Sequence, residues 1–470
     1  MSTTETETET RVGVALDNVG LTRAHRLILF CVMAGGFFDV FEQNAPGVTG
    51  PSLQALWHLT TTQIGFAASA TYGSMVVGGV ATGILSDRAG RKTLFSFNLG
   101  IYSLGGLICA FAPNFQILII GRIIVGLGLG GELTIALPFL SELMPTKFRG
   151  TAVSLFNMGA GGLGNPAAFA FGSLIIGVLG PVLGGMGGSW RWYFGLLALP
   201  ALIVLYVRRH LPETPRFLVS KGRISEANRA LSVLASGHLN AKNLTVTKYL
   251  DESAKTDVAT GASHAGGYDI KDVFRGRLRV NTVTLGLGAF MSFGGQLVAL
   301  TMIPIILVSR GYSIGNSLGF TAVMQGGALL GTVVAAYLNH RLPRRLVVVP
   351  AAILAGIFGV VFALLGTTIA TIIVFGFIFN FFVLLCNTTL WAWAPEVYPT
   401  RVRATGTGII VNTGLAGQAV MPPVAAALLS ASGIFVMFAL VAAMYAVLAV
   451  LAFFAPETFG RDLEELHGEV

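Results

Sequence analysis

Apolar runs long enough to cross a bilayer dominate the chain. A span needs about 20 apolar residues. Twelve are predicted, at 25–48, 63–86, 93–112, 115–141, 149–178, 190–209, 279–308, 315–338, 345–365, 368–394, 403–430 and 433–455. The main interruption is a polar segment over 210–278, where ISEANRALSVLA (224–235) has the period of an amphipathic surface helix. The pattern predicts an all-α integral membrane protein in five parts. These are a disordered N-terminus (1–23), a six-helix bundle (24–209), a linker with short helices (210–278), a second six-helix bundle (279–455) and a tail (456–470).

The punctuation between the runs repeats. LSDRAGRK (85–92) follows the second run and LNHRLPRR (338–345) the eighth. SELMPTKFRGTA (141–152) follows the fourth and PEVYPTRVRATG (395–406) the tenth. PETPRFL (212–218) follows the sixth and PETFGRDLEEL (456–466) the twelfth. Three pairs in one order, about 250 residues apart, make two six-helix halves. Parallel halves are a transporter design with the substrate site between them near mid-depth.

Composition agrees. Hydrophobic residues make up 54% and charged residues 11%, with mean hydropathy +0.74. Soluble domains carry about 25% charged residues, so a soluble enzyme is excluded. The 60 glycines suit close helix packing in lipid. Cys31, Cys109 and Cys386 all fall inside apolar runs, as small apolar fillers with no metal or disulfide spacing.

The net charge of +8 reflects topology. If both termini are cytoplasmic, all 30 Lys and Arg except Arg122, Arg191 and Arg310 lie on the inner side. Anionic lipid then explains the basic balance, and no nucleic-acid partner is needed. The start, MSTTETETET, lacks a basic n-region, so the first run is expected to remain as an uncleaved helix.

Against this background FFDVFEQNA (37–45) stands out, because it places Asp39 and Glu42 inside the first run. A charge at the bilayer centre costs about 3 kcal/mol or more. Arg122 and Glu132, in the fourth run, are the other interior charges, and the second half has none. At about 1.5 Å per residue, Glu42 lies roughly 22 Å along its helix from Leu27, and Arg122 about 10 Å from the outer end of its own. Both are then in the outer half, so Arg122 is placed to pair with Glu42 or with Asp39 one turn below. Glu132 is about 15 Å farther toward the cytoplasm, as a second protonation site, an inner-gate partner or a structural acid.

The sequence resembles the major facilitator superfamily over 24–466. GILSDRAGRK (83–92) matches its loop signature and GRIIVGLGLGGE (121–132) its helix-four motif. The two PET motifs resemble those of sugar porters. WAWAPEVYPTRVRATGTG (391–408) is closer to aromatic-acid and niacin-type proton symporters and organic-ion transporters, and DVFE (39–42) resembles their D-G-F-D box. The paired glutamines of sugar porters are absent, since LGAFMSFGGQLVALTMIP (287–304) has only Gln296. The resemblance implies that Glu42 is the proton-carrying acid and Arg122 its switch partner, with Asp39 an extra acid in the same set. Burial raises a carboxylate pKa and a nearby arginine lowers it, so a moving Arg releases or recruits a proton. The alternatives are a static ion cluster, or Arg122 holding a substrate carboxylate.

Polar candidates for the substrate cavity are Gln43, Asn44, Asn157, Asn165, Gln296, Gln325, Asn380, Asn387, Trp391, Trp393 and Asn412, together with Arg122. Interhelical hydrogen bonding is the alternative for each amide. The resemblance also implies a cytoplasmic gate. It comprises Asp87, Arg88, Arg91, Glu142, Arg149 and Glu213 in the first half, and Arg341, Arg344, Glu396 and Arg403 in the second. Asp87 would face a helix N-terminus, and the arginines would reach Glu142 and Glu213. In the second repeat His340 stands for Asp87 and Pro343 for Gly90, leaving Glu396 to bridge Arg341 or Arg344.

The motif GLGLGG (126–131) matches a dinucleotide fingerprint but has no strand before it. The expected function is an alternating-access secondary transporter in the cell membrane that couples inward proton flow to uptake of a small organic solute, most consistently an organic acid. Its partners would be that solute, protons and the bilayer, with the chain acting as a monomer and using no cofactor or metal. A sugar or organic-cation carrier (symporter, uniporter or drug/proton antiporter) is the alternative. A non-transporting receptor would need a larger soluble domain, and an enzyme a nucleophile–base or metal cluster.

Overall fold

The computed structural model describes residues 12–208, 211–239, 244–250, 273–399 and 402–459, without the side chains of 87–89, 186, 198–208, 277 and 404. Among the described residues the chain is helical and forms no strand. A short helix α1 (12–19) precedes α2 (Arg23–Trp57), α3 (Thr61–Ala89), α4 (Arg91–Ala110) and α5 (Phe115–Leu143). The fifth span is composite. It runs through α6 (Arg149–Asn157), a π-turn (Met158–Leu163), α7 (Gly164–Gly172) and a second π-turn (Ser173–Val178). Then come α8 (Gly185–Arg208), the linker helices α9 (Pro215–Ser220) and α10 (Ile224–Ser236), and α11 (Gly276–Ser309). The chain ends with α12 (Ile314–Asn339), α13 (Arg344–Leu365), α14 (Ile369–Glu396) and α15 (Arg403–Phe454).

At 52 residues α15 would be about 78 Å long, far more than a ~30 Å bilayer core. Gly433, at φ 84° and ψ −177°, breaks it into two spans. With α8, twelve spans result among the described residues, as the apolar pattern predicts. Two boundaries differ. The first helix continues beyond 48 through Pro51 to Trp57. The disorder expected over 1–23 is corrected for 12–19, because Val12, Ala15 and Leu16 are buried with Leu143, Leu218 and Leu231. Residues 1–11 and 460–470 lie outside the described residues.

The halves are built alike. In the first, α3 and α4 pack on α5, and α8 on α2 and α4. In the second, α12 and α13 pack on α14, and α15 on α11 and α13. Helices α3, α5, α12 and α14 start at the end away from the linker. Each is capped by its own side chain, from Thr60, Asn114, Ser313 and Thr368.

The glycine motif is a packing device. Added Cβ atoms on Gly126 and Gly130 would come within 2.1 Å of Thr71 O and 2.0 Å of Met75 O on α3. One on Gly128 would come within 2.6 Å of Asn98 O on α4. Helix α5 is thus wedged between two backbones.

The halves meet away from the linker. A Cβ on Gly65 (α3) would lie 2.9 Å from Pro423 (α15), and one on Gly177 would lie 2.5 Å from Gly315 (α12). Ser173 Oγ donates to Gly315 O at 2.8 Å.

Candidate functional site

Glu42 and Arg122 form an ion pair at 2.8 Å, with side chains 2% and 1% exposed. The sequence explains why this pair is held so closely. Pro46 has no N–H, so the Glu42 carbonyl four residues earlier has no helical donor. Arg122 supplies one. Its NH1 donates to Glu42 Oε2 and its NH2 to that carbonyl at 2.6 Å. Its Nε donates to Thr71 Oγ1 at 3.0 Å, and Phe194 covers it at 5.8 Å from ring centroid to guanidinium carbon. Gly106 leaves room for the acid, since a Cβ there would stand 2.8 Å from Glu42 Oε1.

The second half repeats Pro51 rather than Pro46, since Pro304 sits five residues from the end of α11 as Pro51 sits six from the end of α2. Pro304 frees the carbonyl of Leu300, which packs against Gly47, where a Cβ would lie 2.5 Å from that oxygen.

Beside the pair, between the halves, is a cavity of about 170 Å³. Of the predicted residues, Asp39, Gln43, Asn44, Asn157, Asn165, Gln296, Asn387 and Trp391 line it. Arg122 does not, which corrects that expectation, because its donors point to α2 and α3. Nor do Gln325 and Asn380, which hydrogen-bond each other at 2.9 Å as buried interhelical contacts. Trp393 is buried and donates to Pro456 O at 3.0 Å. Glu132 is buried and lines neither this cavity nor the vestibule described next.

Several amides are already oriented by neighbours. Asn44 Nδ2 donates to Asn165 Oδ1 at 2.7 Å. Asn387 donates to Gln296 Oε1 at 2.5 Å and accepts from Ser292. Sequence reasoning missed Tyr72, Phe156, Phe293, Thr332, Thr388 and Gln418 as lining residues. Phe293 stacks on Trp391, with centroids 5.9 Å apart and planes 22° apart. Gln418 stood out only as a polar residue inside an apolar run.

A vestibule of about 770 Å³ continues from this cavity toward the linker end. Leu133, Leu137, Trp391, Val411 and Leu415 line both spaces. Arg91, Arg216, Arg403 and Asn412 line the vestibule, so Asn412 belongs there rather than in the central cavity. The protein is therefore closed at its far end and open at its linker end.

The gate charges form two matching clusters. Arg91 pairs with Glu142 at 2.7 Å, and Arg344 with Glu396 at 2.7 Å, each within one half. Arg149 Nε donates to Met144 O and Arg403 Nε to Tyr398 O, the same fold-back in both repeats. Arg341 stacks over Tyr337 at 4.5 Å, so Arg344 is the bridging residue. The side chains of Asp87 and Arg88 lie outside the described residues.

Glu213 has a further role. It accepts from the Lys92 N–H at 3.2 and 3.3 Å, capping α4. Glu457, which was not predicted, accepts from Arg344 N and Arg345 N at 3.0 and 3.1 Å, capping α13. Helices α4 and α13 begin at Gly90 and Pro343 without a side-chain cap of their own. A carboxylate at that positive end is favourable, so each PET motif completes a helix start from a distance. Glu457→Ala is expected to lower stability by about 1 kcal/mol, seen as a fall in Tm. An unchanged Tm would show that solvent replaces the cap.

This architecture has known relatives. A family model described as "Sugar (and other) transporter" matches residues 20–469. The chain belongs to this family. The niacin transporter NiaP of Acinetobacter baylyi is 31% identical over 460 residues, covering 96% of this chain and 98% of that protein. A gallate transporter of Pseudomonas putida is 28% identical over 455 residues, covering 93% of each. The inward-open xylose transporter XylE from E. coli matches with a TM-score of 0.72 at 18% identity, covering 95% of this chain and 99% of its own. That likeness shows the major facilitator fold. As a member of the sugar (and other) transporter family, the chain is a multi-pass membrane transporter of small molecules and not an enzyme.

Proposed function

We propose that this transporter couples proton flow to uptake of a small aromatic organic acid by alternating access. The observation that carries the coupling is the Glu42–Arg122 pair, buried beside the cavity and held by a proline-freed carbonyl. An ion pair in a low-dielectric site is sensitive to small changes in separation. Rocking that parts Arg122 from α2 would return Glu42 to its protonated form. The niacin and gallate transporters among its relatives support an aromatic acid, as do the stacked Phe293 and Trp391 and the uncharged amides. With the basic residues inside, both termini are cytoplasmic, the membrane is the cell membrane and the open vestibule faces inward. The six-helix bundles over 24–209 and 279–455 are the moving bodies.

The test is nicotinate uptake by the purified protein in proteoliposomes with an alkaline interior. Accumulation that a protonophore abolishes is expected. Equal uptake with and without the pH gradient would remove the coupling. A second reading, an organic-cation carrier, is favoured by the acid Asp39 on the cavity wall. Benzylamine uptake in place of nicotinate uptake would select it.

A further inference from the structure

The cavity wall of the second half carries a chain of side-chain hydrogen bonds with a fixed direction. It begins at Ser292 of α11, which is fully buried. A helical Ser or Thr often donates to the carbonyl four residues earlier, as Thr389 does to Leu385 O at 2.9 Å and Thr413 to Ile409 O at 2.8 Å. Ser292 does not. Among the described residues its hydroxyl has one partner, Asn387 Oδ1 on α14. The Asn387 NH2 group then donates to Gln296 Oε1 at 2.5 Å. That leaves the Gln296 NH2 group, on the cavity wall, without a protein partner among the described residues.

The chain cannot be reversed at one residue alone. Turning over the Asn387 amide would place its NH2 against Ser292 Oγ and its oxygen against Gln296 Oε1. Gln296 would have to turn as well, presenting its oxygen to the cavity, and the Ser292 proton would be stranded in a buried site. An unmade buried hydrogen bond is costly, so the hydroxyl selects the direction. Tyr445 of α15 steadies this turn of α11 by donating to Ser292 O at 3.1 Å. We propose that Ser292 and Asn387 are positioning residues that keep the Gln296 NH2 turned into the cavity, where it donates to the carboxylate of a bound aromatic acid. This deepens the proposed function and rests on its substrate reading.

The same two helices supply the ring site. Phe293 lies three residues before Gln296 on α11, and Trp391 four residues after Asn387 on α14, spacings that share a helix face. The two rings stack on each other. A flat ring held against this pair brings its carboxyl group to Gln296 within one helical turn. Recognition is then by a neutral donor of fixed direction. An acceptor oxygen is admitted, and a group that can only donate meets another donor. In the first half, by contrast, the NH2 groups of Asn44 and Asn165 are directed at protein oxygens, those of Val40, Asn165 and Gly161.

The experiment is ligand binding to the full-length purified protein, measured by calorimetry. The unmodified chain should bind 3-acetylpyridine about tenfold more tightly than 3-isopropenylpyridine, which has the same outline without the acceptor oxygen. Equal affinities overturn the proposal, and this comparison needs no variant. Ser292→Ala should lower nicotinate affinity about tenfold, while Ser292→Thr, which keeps the hydroxyl, should bind as the unmodified chain does. In a Gln296→Ala background, where the donor is gone, Ser292→Ala should lower the affinity no further. A merely structural effect would add in both backgrounds. An equal loss with and without Gln296 overturns the proposal, as does unaltered nicotinate binding in Ser292→Ala. If neither nicotinate nor benzoate binds the unmodified protein, the aromatic-acid reading fails and this proposal with it. Nicotinate binding with additive losses leaves that reading standing and removes the relay alone.

Discussion

Glu42→Gln should transport without accumulating. In proteoliposomes, nicotinate exchange across equal pH is expected to persist, while concentration of nicotinate against its gradient is lost. The reasoning follows from Arg122. The amide oxygen of the substituted side chain can still accept from NH1, and the backbone carbonyl at this position, freed by Pro46, still accepts from NH2. The cluster therefore stays assembled, but it no longer titrates. Each coupled proton contributes about 1.4 kcal/mol per pH unit, a tenfold accumulation. Removing that proton removes the corresponding tenfold. A Glu42→Gln protein that accumulates nicotinate as strongly as the unmodified one would exclude Glu42 as a proton carrier. Arg122→Leu should be far more harmful, because it leaves a buried carboxylate uncompensated, at a cost of about 3–5 kcal/mol.

Gly130→Ala should lower stability sharply. Its new methyl group would stand 2.0 Å from Met75 O, which is backbone and cannot rotate away. Helices α3 and α5 would have to separate, and overpacking of this kind costs about 1–3 kcal/mol or more. A large fall in Tm, with low recovery of folded protein, is expected. Gly195→Ala is the control, since no heavy atom lies within 4 Å of its added Cβ. Replacing a helical glycine in open space gains about 0.5–1 kcal/mol. Equal Tm values for the two variants would mean that α3 and α5 are not locked by the glycine contacts.

The spans were legible because apolar length is the strongest signal a membrane chain carries. Where the reading failed, the cause was local. The first apolar run stops at 48, yet α2 continues through Pro51 to Trp57. Residues 12–19 were too few to show a period, and only their burial against the linker helices reveals them. Gly433 was legible as a boundary, but not as a break inside an otherwise continuous helix.

The site was half legible for a geometric reason. Rise per residue gives the depth of a side chain, so Glu42 and Arg122 could be matched from the sequence. The azimuth of a helix depends on its packing. The glycine contacts of α5 with α3 and α4 set the rotation that turns Arg122 away from the cavity. The same limit separated Asn387, on the cavity wall, from Asn380, which lies seven residues earlier on α14 and is paired with Gln325 of α12. The remote caps were hidden too. The PET repeat announced that Glu213 and Glu457 were equivalent, but not that each completes a helix of its own half.

Pro46, whose freed carbonyl Arg122 fills, has no counterpart in α11, where Pro304 matches Pro51. Asp39, Glu42, Arg122 and Glu132 all ride on the first half, and the spans of the second carry no charge away from their ends. Membrane voltage, at about 2.3 kcal/mol per elementary charge per 100 mV, therefore pulls on one half alone. The other half is an electrically silent partner against which the first one works.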